Sequence, residues 1–181
     1  MAQLPALAMQ ELLSYDSKTG DLFWKPRARK WFASDKSMKT WNTRFAGKKV
    51  FLRTFKRGGY LRIDIFHHAY RAHRVCFAVA HGMWPNLTDH ANGITTENNF
   101  KNISSVTHIE NSRNRKIKSN NKSGFTGVYL DPKCKKWRAN IHVASKTIHL
   151  GIFNEKMDAV RARAAANIKY GFHPNHGRKA A

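Results

Sequence analysis

Four short strings in the middle of the chain place polar side chains at a spacing that can hydrolyse a phosphodiester. They are Asp89-His90-Ala91-Asn92-Gly93, Asn98-Asn99, Asn102-Ile103 and Val106-Thr107-His108-Ile109-Glu110-Asn111. Such hydrolysis needs an activated water, a cation on the scissile phosphate and relief for the leaving alkoxide. His90 suits the general base when its imidazole is neutral, a form that surrounding cations and a bound metal favour electrostatically. Asp89 offers an oxygen to a hard divalent ion, and the amide oxygen of Asn111 offers a second. The remaining positions fall to water and phosphate, as Mg²⁺ prefers, with Mn²⁺ the alternative. Asn102 stands between them, placed to orient the His90 ring and its loop. His108 is a rival ligand. The plainer alternative is that the Asp-His-x-Asn-Gly string is a turn and the asparagines form loops.

These groups converge only if the right elements carry them. Asn92-Gly93 is a turn signal after a short strand at 87–90, and 103–106 has the composition of a second strand. Thr107-His108-Ile109-Glu110 has the capping-box form, so a helix starts there with Asn111 in its first turn. Adjacent strand residues point to opposite faces, so Asp89 and His90 share a site only at a twisted strand end. Upstream, the stretch 73–81 reads as a helix stopped by Gly82, followed by a loop at Trp84-Pro85-Asn86.

The strings AHR at 72–74, WP at 84–85, DHANG at 89–93, ENNFKNI at 97–103 and THIENSRN at 107–114 resemble phage and intron-associated HNH endonucleases with the ββα-metal motif. The resemblance implies a metal-binding carboxylate at Asp89, a general base at His90, an orienting role for Asn102 and a metal ligand at Asn111. The last position departs from the family name, which implies His; some homing-endonuclease members use Asn there. His73 and Arg74 also match, His73 as structural support and Arg74 as a possible phosphate contact.

The charge balance points to the same partner. Lys and Arg number 33 against 11 Asp and Glu, a formal net charge of +22, spread along the chain. A polyanion is the expected companion of such an excess, and double-stranded DNA leads over a ribosome-like or membrane-surface role. Cys76 and Cys134 lie far apart with no partner at metal-ligand spacing, which excludes a zinc finger and fits a reducing cytoplasm. The apolar stretches are too brief to span a bilayer, and the N-terminus lacks a signal-peptide pattern. The expectation is a cytoplasmic protein, phage-encoded by the resemblance, with no membrane and no small-molecule cofactor, and a monomer in preference to an oligomer.

Residues 1–70 read as a basic, β-leaning region. A short helix fits 4–13, a turn 16–21, and a strand 22–24 that Pro26 ends. The stretches 45–52 and 60–66 alternate around Gly58-Gly59 as a hairpin would. Trp31, Trp41, Arg44, Lys48, Lys49, Arg53, Lys56 and Arg57 interleave aromatic and basic side chains, which suits either a phosphate backbone or solvated loops over a small core.

Residues 116–123 form a basic linker, and 174–181 a tail. Between them, strands are expected at 126–130, 137–143 and 147–152. A helix over 155–170 follows, capped by Asn154, ended by Gly171 and striped by Met157, Val160, Ala164 and Ile168. Trp137, Ala139, Ile141 and Val143 share one strand face; Arg138, Asn140 and His142 share the other. The strings SGFTGVYL, KKWRANIHV and IHLGIFNEKMDAVRARAAANIKYG resemble the AP2 DNA-binding domain. That resemblance implies DNA contacts at Thr126, Tyr129, Asn140, His142, Thr147 and His149; Arg138 joins them from the alternation. Most of these positions carry Arg or Trp in plant members and do not here.

The joint expectation is an α+β chain: a ββα-metal core over 71–115, then a three-stranded antiparallel sheet packed on one helix over 124–173. Cleavage falls to the first and DNA reading to the second, with nicking expected of a monomer. A DNA-binding regulator with an inactive HNH fold is the rival, and an RNA-binding protein a distant third.

Overall fold

The computed structural model describes residues 3–55 and 59–179, so Lys56, Arg57 and Gly58 of the expected hairpin lie outside the described residues. The chain is mixed α+β and divides into two compact units, Met1–Thr107 and His108–Ala181. No helix among the described residues is long and apolar enough to cross a membrane.

In the first unit, α1 (Ala6–Leu12) buries Ala6, Met9 and Leu12 at helical spacing and packs against α3 (Ala72–His81). Strands β1 (Leu13–Tyr15) and β2 (Leu22–Trp24) pair around the 16–21 turn, where Asp16 Oδ1 accepts from the Lys18 amide at 2.8 Å. Strands β3 (Arg53–Thr54), β4 (Leu61–Ile65) and β5 (His68–Arg71) form an antiparallel sheet in that order. Phe66 and His67, both at positive φ, make the tight β4–β5 turn. Met9, Leu12, Leu13, Leu22, Ile63, Ile65, Val75 and Cys76 are the fully buried centre of this unit. Strands β6 (Leu87–His90) and β7 (Ile103–Val106) pair antiparallel, His90 opposite Ile103 and Asp89 opposite Ser104. Gly82, at φ 69°, caps α3 in the left-handed conformation that glycine adopts most cheaply.

The β-leaning reading of 1–70 is corrected in one place. Residues 45–52 are not a strand: Asp35–Phe45 is a helix, α2, and Lys49 beyond it contributes only an isolated bridge to Phe23. Ser34 begins the helix with a capping box, its Oγ accepting from the Ser37 amide at 3.1 Å while Ser37 Oγ accepts from the Ser34 amide. A Ser-x-x-Ser box lacks the Glu or Gln that makes the signal conspicuous.

The second unit opens with α4 (His108–Arg113), which carries Asn111. Strands β8 (Val128–Leu130), β9 (Trp137–Val143) and β10 (Lys146–Phe153) form an antiparallel sheet with β9 central, and α5 (Lys156–Lys169) packs on it. Ala144 and Ser145, at φ 48° and 63°, turn β9 into β10.

Two expectations for α5 fail. Its N-cap is Glu155, without a side-chain cap bond, instead of Asn154. Its buried stripe is Ala159, Arg163 and Ala166, while Met157, Ala164 and Ile168 are exposed and Val160 is half-buried. Small side chains let the helix approach Val128 and Ala139 closely, which bulky residues would prevent. Arg163 is accommodated because Gly127 leaves room and because Nη1 donates to the Asn140 carbonyl at 2.6 Å and Nε to Asn167 Oδ1 at 2.8 Å. The basic linker and the tail are tied together. The Gly177 amide donates to the Arg115 carbonyl at 2.8 Å, and the Ile117 amide to the Arg178 carbonyl at 2.9 Å.

Candidate functional site

His90 ends β6 with its side chain 3% exposed. Its Nε2 lies 3.1 Å from Asn98 Oδ1, an oxygen that can only accept, so Nε2 donates and the neutral ring's lone pair is on Nδ1. The His73 ring meets it edge to face at 5.0 Å, and Tyr60 lies 5.0 Å from His73 and 6.0 Å from His90. Burial lowers the His90 pKa below the ordinary imidazole value, against the opposing pull of Asn98, Asp89 and Glu97. His73 is pushed down to about 3, first by burial and then by His90, Arg71 and Arg74. Both rings are therefore neutral at pH 7, the state a general base requires.

Asp89 is half-buried on the opposite side of β6, and its Oδ1 turns forward to accept from the His90 amide at 2.9 Å. The strand end thus brings the Asp89 carboxylate to the backbone of His90, although adjacent strand residues point to opposite faces. Asn102 acts on the loop. Its Oδ1 accepts from the Asn92 amide at 3.0 Å and its Nδ2 donates to the Glu97 carbonyl at 2.7 Å, bracing 92–97 from inside. The contact to the His90 ring is made by Asn98, 2% exposed, four residues earlier than expected.

Asn98 is held in turn by the N-terminal hairpin. Tyr15 Oη donates to its carbonyl at 2.7 Å, and the Phe100 amide donates to the Ser17 carbonyl at 2.9 Å. Gly20, at φ 84°, lies so close that a Cβ there would stand 2.5 Å from the Asn98 carbonyl carbon. The β1–β2 turn is thus the floor under the 97–100 loop. Neither Tyr15 nor Gly20 had a local signal for this. Arg74 is half-buried and donates to the Pro85 carbonyl at 2.9 Å and the Asn86 carbonyl at 3.4 Å, clamping the segment that leads into β6.

Among the described residues no group of three or more His, Cys, Asp or Glu side chains is gathered as a thiolate or multi-imidazole metal site would be. Asp89 is a hard carboxylate donor, which fits a water-rich Mg²⁺ or Mn²⁺ ion better than zinc. Asn111, the other expected ligand, stands on α4 in the second unit.

In the second unit, Tyr129, Asn140 and His149 form one chain on the polar sheet face. Asn140 Nδ2 donates to Tyr129 Oη at 3.2 Å, and His149 Nδ1 donates to Asn140 Oδ1 at 2.9 Å. His142 Nδ1 and Thr147 Oγ1 pair at 3.2 Å. Arg138 pairs with Asp131 at 2.6 Å, a partner the alternation did not reveal. Thr126 precedes β8 and is half-buried against Gly177, with its hydroxyl enclosed. An open groove of about 1360 Å³ is lined in part by Tyr129, Asn140, His142, Thr147, Lys116 and Lys118.

Compared with known protein families, curated proteins and solved structures, the chain matches none.

Proposed function

We propose that the chain is a metal-dependent DNA endonuclease that hydrolyses phosphodiester bonds, with its second unit binding the duplex. The observation that carries the reading is the neutral, buried His90 at the end of β6, hydrogen-bonded to Asn98 and adjoining the Asp89 carboxylate, in a chain of net charge +22. His90 accepts the proton of the attacking water at Nδ1. Asn98 keeps the opposite nitrogen protonated and so selects that tautomer. Asn102 and Arg74 position the loop and the strand that carry the base. Asp89 would contribute a ligand to a hard divalent ion; when bound, that ion stabilises charge on the phosphate and leaving oxygen. The groove along Tyr129, Asn140, His142 and Thr147, with His149 bonded to Asn140, offers donors and acceptors to base edges and phosphates. Nicking of one strand at a time is the expected outcome for one such centre.

Supercoiled plasmid relaxation tests this. Wild-type protein with Mg²⁺ should convert plasmid to the nicked form, EDTA should abolish conversion, and His90→Ala should slow it by roughly 10²–10⁴-fold. Tight, salt-sensitive binding that leaves every DNA intact with Mg²⁺ and Mn²⁺ would instead identify a non-catalytic DNA-binding regulator.

A further inference from the structure

Helix α2 has no part in the site around His90, and its construction is unusual for a surface helix. It buries none of its eleven residues. A helix this short is marginal alone in water, so something must hold it. The Ser34 capping box secures its start. Its inner side is bolted to Arg27: the Arg27 amide donates to Asn42 Oδ1 at 2.9 Å, and Asn42 Nδ2 donates back to the Arg27 carbonyl at 3.0 Å. The Arg27 guanidinium lies 3.8 Å from the Trp41 ring centroid, 4.7 Å from Trp24 and 4.8 Å from Phe66. Trp24 and Phe66 pack against the core of this unit, so the cation–π box fixes α2 to it. Arg27 is 7% exposed, and burial brings its pKa down to about 10, leaving it charged at neutral pH.

At about 100° per residue, Met38, Trp41, Asn42 and Phe45 make the half-buried inner side, and Lys36, Lys39, Thr40, Thr43 and Arg44 make the exposed outer side. The outer side contains cations and hydroxyls and no acid. Asp35 lies at its margin, paired with Arg29 at 2.8 Å. Lys36, Lys39 and Arg44 have no carboxylate partner among the described residues. The face carries no apolar side chain, so it is built neither for a hydrophobic protein groove nor for insertion into a lipid surface. A rigidly mounted face of like charges in a chain already at +22 gains stability only against a dense polyanion.

We infer that the outer face of α2 is a second DNA-docking surface, with Lys36, Lys39 and Arg44 on phosphates and Thr40 and Thr43 between them. The inference rests on the reading of the chain as a DNA-acting protein. A helix about 10–12 Å across matches the roughly 12 Å width of the major groove, and its three cations would neutralise three phosphates.

The test is fluorescence anisotropy of a labelled duplex titrated with full-length protein at several salt concentrations. The variant is Lys36→Ala/Lys39→Ala/Arg44→Ala, in which alanine preserves the helix. A control, Lys133→Ala/Arg161→Ala/Lys169→Ala, removes the same charge from the second unit. Three lost phosphate contacts should make the slope of log K against log salt shallower by about 2.7, which is roughly 500-fold in relative affinity between 1 M and 0.1 M salt. The control should show a much smaller change. Equal losses in both variants, or none in the α2 variant while wild type binds, would overturn the α2 surface and leave the nuclease reading standing. Absence of DNA binding by wild type would overturn both.

Discussion

Acidification should destabilise the first unit through His73, and the size of the effect follows from its burial. The side chain is 2% exposed, its Nδ1 lacks a hydrogen-bond partner among the described residues, and its folded pKa is about 3 against 6.5 ordinarily. Between those values the unfolded chain binds a proton that the folded chain refuses. The stability contributed is therefore fully present above pH 6.5 and is lost as pH falls toward 3, at up to about 1.4 kcal/mol per pH unit. From pH 7 to pH 5 the loss attributable to His73 works out at about 2 kcal/mol. His90, shifted in the same direction, adds to it. Urea unfolding followed by tryptophan fluorescence reports mainly this unit, which holds Trp24, Trp31, Trp41 and Trp84. His73→Phe keeps a ring against His90 and Tyr60 but cannot titrate, so its stability should fall about 2 kcal/mol less over the same interval. Equal pH dependence in wild type and variant would refute the argument. So would a folded-state His73 ring resonance titrating near 6.5, a measurement that needs no variant.

Two glycine substitutions probe the frame around the candidate sites. Gly20→Ala forces a side chain into the left-handed region and against the Asn98–Asn99 backbone. It should cost roughly 2–4 kcal/mol in urea unfolding and reduce plasmid nicking by withdrawing Asn98 from His90; unchanged stability would remove the β1–β2 turn from its role as the loop's floor. Gly127→Ala, at φ 75°, places a Cβ against Arg163 and the Asn140 carbonyl. Separation of α5 from β9 should lower the unit's thermal midpoint and weaken DNA binding, and a midpoint equal to wild type would contradict the packing described.

The elements nearest the candidate chemistry were legible because their signals are local. Alternation and turn residues marked 87–90, 103–106 and 137–143, and the structure carries strands over the same residues. Gly82 marked the end of α3 because a left-handed cap favours glycine wherever it occurs. The helix α2 is not legible in the sequence because its aromatic side faces a guanidinium: Trp41 reads as one of the interleaved surface residues, and only the fold sets it against Arg27. The stripe of α5 was misplaced for a related reason. Hydrophobicity selected Met157 and Ile168, whereas closeness of approach to the sheet selected alanines and an arginine whose partners come from β9 and from α5 itself. Asn98 and Asn102 have the same chemistry and nearly the same position in the sequence. Composition determined that a buried imidazole at His90 would have an amide at hand. Only tertiary packing, with Gly20 and Tyr15 beneath the loop, decided that Asn98 turns to the ring while Asn102 braces the backbone. Which of two equivalent amides meets a ring depends on loop direction, and that direction is set by contacts some eighty residues away in the chain.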